Sequence, residues 1–277
     1  TPLYSSAASD VYKRQPFTLP HLFSTLKKPV KISAAIITLN EERNIARAIE
    51  SLRCCEEIVI VDSGSTDRTC DLAANLGARV IAHPFAGYAS QKNFAASACE
   101  NDWVLSIDAD EALSESLEAE IWQLKKTFPK YVGYTMPRLA QYLGRWILHS
   151  GWHPDRKVRL FDRRHAQWHG EYVHESVRVE GRVGHLEGNL LHFTCDSLSE
   201  HLRTMDRYTT LAAEQLIEFK RPIGYRHLVA DPLFTFFKTY IFQRGFLDGP
   251  EGLAIAYMAA HYTFLKYAKA RFMSPPK

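Results

Sequence analysis

The residues best suited to chemistry lie in three short polar clusters. Asp108-Ala109-Asp110-Glu111 follows the apolar run Trp103–Ile107, and Asp62-Ser63-Gly64-Ser65-Thr66-Asp67 follows Ile58–Val61. Thr38-Leu39-Asn40-Glu41-Glu42 closes the run that begins at Lys31. Residues i and i+2 of an extended strand point the same way, so Asp108 and Asp110 can share one hard divalent cation. Alternatively one carboxylate binds the metal and the other a ribose hydroxyl. Mg²⁺ or Mn²⁺ on oxygen ligands would neutralise a diphosphate. Asp-x-Asp alone is a common tripeptide. Its weight comes from its place after an apolar strand, with Asp62 ending another. The plainer reading of Ser65 and Thr66 is that they cap the helix that follows.

Phosphate binding by a glycine loop is excluded. No G-x-G-x-x-G follows the first apolar run, and no G-x-x-x-x-G-K-[ST] occurs anywhere. A diphosphate would be held by metal and side chains. A sugar nucleotidyltransferase would carry a Gly- and Arg-rich loop where this chain has Asn40-Glu41-Glu42-Arg43.

These clusters need a scaffold that brings strand ends together. Lys31–Leu39, Ile58–Val61, Arg79–Ala82 and Trp103–Ile107 are short apolar runs that suit buried strands. Between them Ile45, Ala48, Ile49 and Leu52 recur at helical spacing, and Thr69–Leu76 and Ser90–Cys99 also read as helices. Alternating strands and helices imply a parallel sheet covered on both faces, with ligands at the carboxyl ends of the strands. After Tyr131 the rhythm changes. Tyr131–Pro137, Val158–Phe161, Val173–Val179 and Leu190–Phe193 suggest mixed or antiparallel strands appended to that sheet. Leu198–Phe219 is helical by its spacing, and Pro232–Phe272 is helical and aromatic, with a break expected at Gly245–Gly252.

Hydrophobic residues make up 46% of the 277 and charged residues 23%, which excludes extensive disorder. Five cysteines without metal-site spacing exclude a disulfide scaffold and suit a reducing compartment. The net charge of +3 is too small to argue for nucleic acid. Residues 212–277 nevertheless hold nine Lys/Arg against five Asp/Glu, among many Phe and Tyr. No secretory signal or membrane-spanning run is legible. The expected division is a disordered or non-native leader over residues 1–29, a catalytic domain over 30–220 and a helical, membrane-associating region over 221–277.

The stretches TLNEERNI (38–45), VDSGSTDRT (61–69), QKNFA (91–95) and LSIDADE (105–111) resemble family 2 glycosyltransferases of the GT-A fold. VRLFDRR (158–164), WHGEYVHE (168–175) and LHFTCDSLSEHLRTMDRYTTLAA (191–213) resemble the WaaE/KdtX-type lipopolysaccharide core β-glycosyltransferases within it. The resemblance implies an α/β, Rossmann-like, mixed but mainly parallel sheet flanked by helices, with a C-terminal helical extension. It implies an inverting, metal-dependent transfer of a hexose, with glucose the expected one, from a UDP-sugar to a lipopolysaccharide core or other cell-surface glycan. By that resemblance Thr38, Asn40 and Glu41 line the nucleotide pocket and Asp62 accepts from the uracil N–H. Ser65 joins the substrate-binding set, and Lys92 and Asn93 lie along the nucleotide. Asp108 faces the ribose or sugar and joins the metal set, Asp110 ligates Mg²⁺ or Mn²⁺, and His192 completes metal or diphosphate binding.

An in-line displacement at the anomeric carbon needs a carboxylate to take the acceptor's proton. Glu175 fits the family position, and Glu171, four residues earlier, is the alternative. Arg159, Arg163 and Arg164 are candidates to clamp a diphosphate or a phosphorylated acceptor. Trp152, His153 and Trp168 are candidates to stack on sugars or to pack in the core. The basic aromatic C-terminal quarter suits peripheral contact with the cytoplasmic face of an inner membrane. Packing under the catalytic domain and a dimer contact are the alternatives for it. The rival functions are transfer to polyprenyl phosphate or a protein, and non-catalytic binding of a sugar nucleotide.

Overall fold

The computed structural model describes residues 29–127, 129–170 and 175–273. Four apolar runs pair in parallel as β1 (Ile32–Thr38), β2 (Glu57–Asp62), β3 (Arg79–Ala82) and β4 (Trp103–Asp108), in the order β3-β2-β1-β4. They are apolar on both sides because helices cover both faces. Ile32, Ala34 and Ile36 of β1 meet Ile45, Ala48 and Ile49 of α1 (Ile45–Glu50) and Ala73 of α2 (Thr69–Asn75). Ala35, one residue out of phase, meets Ala95 and Ala96 of α3 (Tyr88–Ala98) on the other face. The register sets Thr38 beside Asp62 and Ile37 beside Asp108, so the polar clusters share one sheet edge.

The later strands extend this same sheet. After β5 (Glu111–Leu113) and α4 (Glu115–Thr127) come β6 (Gly133–Tyr142), β7 (Arg145–Trp146) and β8 (Asp155–Asp162). The antiparallel ribbon β9 (Ala166–His169) and β10 (Ser176–Val179) follows, then β11 (Val183–His185) and β12 (Leu190–Cys195). The full order is β3-β2-β1-β4-β8-β6-β12-β5. β8 caps the otherwise open edge of β4 antiparallel, which places Arg159 behind the Asp108 strand end. β12 runs parallel to β6 and antiparallel to β5, setting His192 opposite Glu111. The expected strand over 173–179 is seen as β10; Val173 and His174 lie outside the described residues.

The chain ends in helices α5 (Leu198–Glu218), α6 (Tyr225–Phe237) and α7 (Gly249–Met273). The Ser197 side chain caps α5 by accepting from the Glu200 N–H at 3.2 Å. A π-helical turn (Lys238–Phe242) and a 3₁₀ turn (Gly245–Asp248) separate α6 from α7. The expected break is narrower than Gly245–Gly252, since α7 already starts at Gly249. Gly252 is the closest approach in this corner: a Cβ there would lie 1.9 Å from the Gly245 carbonyl oxygen. Gly252→Ala should therefore lower stability by about 1–3 kcal/mol, read as a fall in thermal midpoint. Unchanged melting would show that the corner is looser than its packing. No helix among the described residues is long and apolar enough to cross a membrane.

Candidate active site

At the end of β4 the backbone turns, and the two-residue alternation stops. The strand ends at Asp108, and Asp108 and Asp110 meet different partners. Asp108 is held between two cations, with Oδ1 2.7 Å from Lys92 Nζ and Oδ2 2.7 Å from an Arg159 guanidinium nitrogen. Asp110 instead meets His192, Oδ2 to Nε2 at 3.2 Å. The sequence-expected pair thus splits into one carboxylate neutralised by the protein and one beside an imidazole.

Glu111 makes this arrangement rigid, and the sequence reading gave it no role. Its side chain is 0% exposed; Oε1 accepts from Arg159 at 2.7 Å and Oε2 from the Asp108 backbone N–H at 2.9 Å. Burial pushes Glu111 above the usual carboxylate range despite Arg159, and the Asp108 and Asp110 charges add to the rise. Burial also opposes ionisation of Asp108, but Arg159 and Lys92 outweigh it and hold Asp108 well below that range. The only signal for Glu111 was its adjacency to Asp110; that its side chain turns inward depends on pairing with β12.

Lys92 is buried and donates to Glu175 Oε1 at 2.9 Å as well as meeting Asp108. Its ammonium also lies 4.5 Å from the centre of the Trp168 ring, and the Arg159 guanidinium 5.5 Å from it. Glu175 is thereby tied to the Asp108 cluster across 83 residues of chain. Glu171 lies outside the described residues.

The neighbouring strand ends form a second polar group. Asp62 accepts from Thr38 Oγ1 at 2.9 Å, Ser65 Oγ at 2.5 Å, and the Gly64 and Ser65 N–H groups at 2.9 and 2.8 Å. Burial raises the Asp62 pKa, but these bonds outweigh it and the net shift is downward. They fill the four lone-pair sites of a carboxylate, so a base N–H would have to displace one of them. Ser65 Oγ also accepts from the Asn40 N–H at 2.8 Å, and Asn40 Oδ1 from the Thr66 N–H at 2.8 Å. Glu41 is raised mainly by burial, which outweighs its bond from Asn44, and then by repulsion from Asp110, Asp67 and Asp108. It therefore faces the same anionic ground as the metal-type pair.

The remaining candidates separate. Asn93 spends its side-chain amide on the Trp168 backbone, with Nδ2 to O and Oδ1 to N both at 2.9 Å. It lines a cleft of about 830 Å³ between α3 and the β9–β10 ribbon, which none of the acidic site residues enters. Arg163 donates to the carbonyls of Ala96, Ser97 and Cys99, and Arg164 is bidentate on Asp162. Only Arg159 of the three reaches the cluster. Trp152 packs edge-on against Tyr142, and His153 meets Asn189 Oδ1 at 3.1 Å. All five cysteines are free thiols.

Among the described residues no three His, Cys, Asp or Glu side chains form a ready metal cage. Asp110 and His192 nevertheless fit two positions of a divalent ion. Adjacent ligands at roughly 2.1 Å from a metal lie about 3 Å apart, close to their 3.2 Å separation. Ligation through Nε2 would use that nitrogen's lone pair and leave the ring proton on Nδ1, which is buried without a hydrogen-bond partner. Diphosphate oxygens and water would supply the other ligands.

The model of the family described as glycosyl transferase family 2 matches residues 33–178. The lipopolysaccharide core biosynthesis glycosyltransferase LpsC of Rhizobium meliloti is 36% identical over 246 residues, covering 86% of this chain and 91% of LpsC. An uncharacterised glycosyltransferase of Rickettsia typhi is 33% identical, covering 88% of each chain. Among solved structures, S. aureus TarS covers 90% of this chain and 93% of its own at 13% identity and a TM-score of 0.44. Glucosyl-3-phosphoglycerate synthase of Mycobacterium tuberculosis, solved with Mn²⁺, UDP and glucosyl-3-phosphoglycerate, covers 42% of this chain and 46% of its own. Its identity is 25% and its TM-score 0.34.

Proposed function

Since the chain belongs to glycosyl transferase family 2 and is a glycosyltransferase, we propose that it transfers a hexose, glucose in the first instance, from a UDP-sugar to a lipopolysaccharide core acceptor with inversion. The observation that carries this reading is the two-sided strand-end cluster. Asp110 and His192 form an anion–imidazole pair suited to Mg²⁺ or Mn²⁺, and Glu175 stands beyond Asp108 and Lys92. A bound divalent ion would neutralise charge on the departing diphosphate. The chain's own residues supply the rest. Thr38, Asp62 and Ser65 fix the turn that faces the nucleotide, and the Arg159–Glu111 pair fixes Asp108 toward the ribose or sugar.

Glu175 takes the acceptor proton as the hydroxyl oxygen bonds to the anomeric carbon and the bond from that carbon to the diphosphate breaks. Lys92, bonded to Glu175 Oε1, orients that carboxylate for the proton. The acceptor is read as a glycan carried at the cytoplasmic face of the inner membrane, met by the helical region from residue 221 onward. Support for this is the relationship to LpsC.

Calorimetry with UDP-sugars, with and without Mn²⁺ or Mg²⁺, tests the donor half. Wild type should bind in a metal-dependent way. Asp110→Ala and His192→Ala should each weaken the metal dependence by at least the roughly 10–100-fold typical of outer-shell changes. Metal-independent binding, or no binding of any nucleotide sugar, would overturn the reading. Transfer to lipid A-core extract but not to polyprenyl phosphate is the expected acceptor result.

A further inference from the structure

The helix α6 is apolar and yet has no buried residue. Tyr225, Val229, Leu233, Phe237 and Ile241 recur every four residues along α6 and the π turn, with exposures of 79, 59, 56, 52 and 48%. Phe234 and Phe242, at 63 and 75%, widen this stripe. The opposite side of α6 is engaged with α7: Thr235 Oγ1 lies 3.4 Å from Thr263 Oγ1, and the His227 ring 5.0 Å from that of Tyr267. One side of the helix is therefore packed, and the other presents a continuous apolar band. Bands of this extent on a folded chain mark a contact surface.

Charge narrows the choice of partner. Lys238 and Arg244 are exposed beside the stripe. The acidic residues of 225–273 are Asp231, Asp248 and Glu251, and each is occupied within the chain. Asp231 is 4.0 Å from Arg226 and Glu251 3.8 Å from Arg145. Asp248 is buried and accepts from Leu148 N, His149 N and Ser150 Oγ at 3.2, 3.1 and 2.8 Å. A second copy of this face would set cations against cations. A layer of anionic phosphates over an apolar interior complements it on both counts.

The face is also fixed to the catalytic sheet. The Asp248 bonds, with Ser150 N donating to the Gln243 carbonyl at 2.9 Å, clamp the turn between α6 and α7 to the loop from β7 to β8. A Cβ on Gly151 would meet the Gln243 side chain at 2.4 Å, so the contact is close. The loop leads directly into the strand that carries Arg159.

We propose that the exposed face of Tyr225–Phe242 docks on an anionic phospholipid bilayer. Phe234, Phe237 and Phe242 enter the boundary between headgroups and acyl chains, and Lys238 and Arg244 contact lipid phosphates. The clamp then holds the catalytic sheet in one orientation over the surface. The proposal deepens the reading of a membrane-borne acceptor and rests on it for its use; the binding itself needs neither donor nor acceptor.

Flotation of the full chain with vesicles of phosphatidylcholine, with and without phosphatidylglycerol, tests it. Wild type should float only with the phosphatidylglycerol vesicles, and salt should weaken the binding. Lys238→Gln with Arg244→Gln should reduce partition roughly 30-fold. Phe234→Ser, Phe237→Ser and Phe242→Ser together should abolish it, with the thermal midpoint unchanged because these side chains are exposed. Absence of vesicle binding, equal binding to uncharged vesicles, or variants that float like wild type would each overturn the proposal. So would a dimer in sedimentation equilibrium that the phenylalanine substitutions dissociate while wild type fails to float. Nucleotide calorimetry on the same samples separates the two readings. Vesicle binding without nucleotide binding sinks the donor assignment alone, and the reverse result sinks the docking surface alone.

Discussion

Glu175→Gln is expected to bind donor as wild type does and to lose transfer by about 10²–10⁴-fold, the usual contribution of a positioned general base. The amide keeps an oxygen that can still accept from Lys92 at the position of Oε1, so the surrounding geometry should persist. It lacks the basicity to receive the acceptor's proton. The informative measurement is a split: donor affinity by calorimetry against turnover with lipid A-core acceptor. Loss of both would mean that the variant disturbs the Lys92–Asp108 pair and would give Glu175 a positioning role. Full turnover in Glu175→Gln, with the loss appearing in Glu171→Gln, would move the base to the earlier glutamate.

The second large effect concerns stability. Arg159 has a side-chain exposure of 5% and is the shared partner of Asp108 and Glu111, the latter 0% exposed. Arg159→Ala leaves a buried carboxylate whose next cation, Arg138, is 3.7 Å away. Removing one partner of a buried ion pair costs about 3–5 kcal/mol, because the remaining charge is unsolvated and keeps only that longer contact. Urea unfolding should show that loss, and adding Glu111→Gln should recover part of it by removing the stranded charge. A variant within about 1 kcal/mol of wild type would place this pair in the range of exposed ion pairs instead. The expected recovery also distinguishes electrostatic loss from simple loss of side-chain packing.

These two residues show how far the sequence could be read. The strand runs were legible because Ile, Val and Leu at short spacing have few alternatives to burial, and the alternation with helices made the sheet parallel. That placed Thr38, Asp62 and Asp108 on one edge, where they lie. The likeness of 158–164 and 168–175 to family motifs brought Arg159 and Glu175 into the reading. That Asp108 and Asp110 would take different partners was not legible. The alternation of side chains holds only while the chain stays extended, and β4 ends at the first of the two. Glu111 passed without a role because its partner strand, β12, is about 80 residues away in sequence. Asn93 was expected along the nucleotide beside Lys92; that its amide bonds the ribbon was not legible, because successive residues on α3 face different neighbours.

The C-terminal region shows the same division. Its aromatic and basic composition was plain, and it allowed a membrane contact, a core or a dimer interface. Only packing shows that α7 takes one side of α6 and leaves Phe234, Phe237 and Phe242 exposed.

The sequence by itself determined which residues end strands and therefore which edge of the sheet is polar. Hydrophobic periodicity is a local property, and it is enough to fix those strand ends. The tertiary structure alone decided which carboxylate meets cations and which meets an imidazole. It also decided which glutamate is buried and which aromatic face is bare. Those outcomes depend on pairings between segments tens of residues apart, where the cost of an unpaired buried charge selects the partner and no local pattern records it.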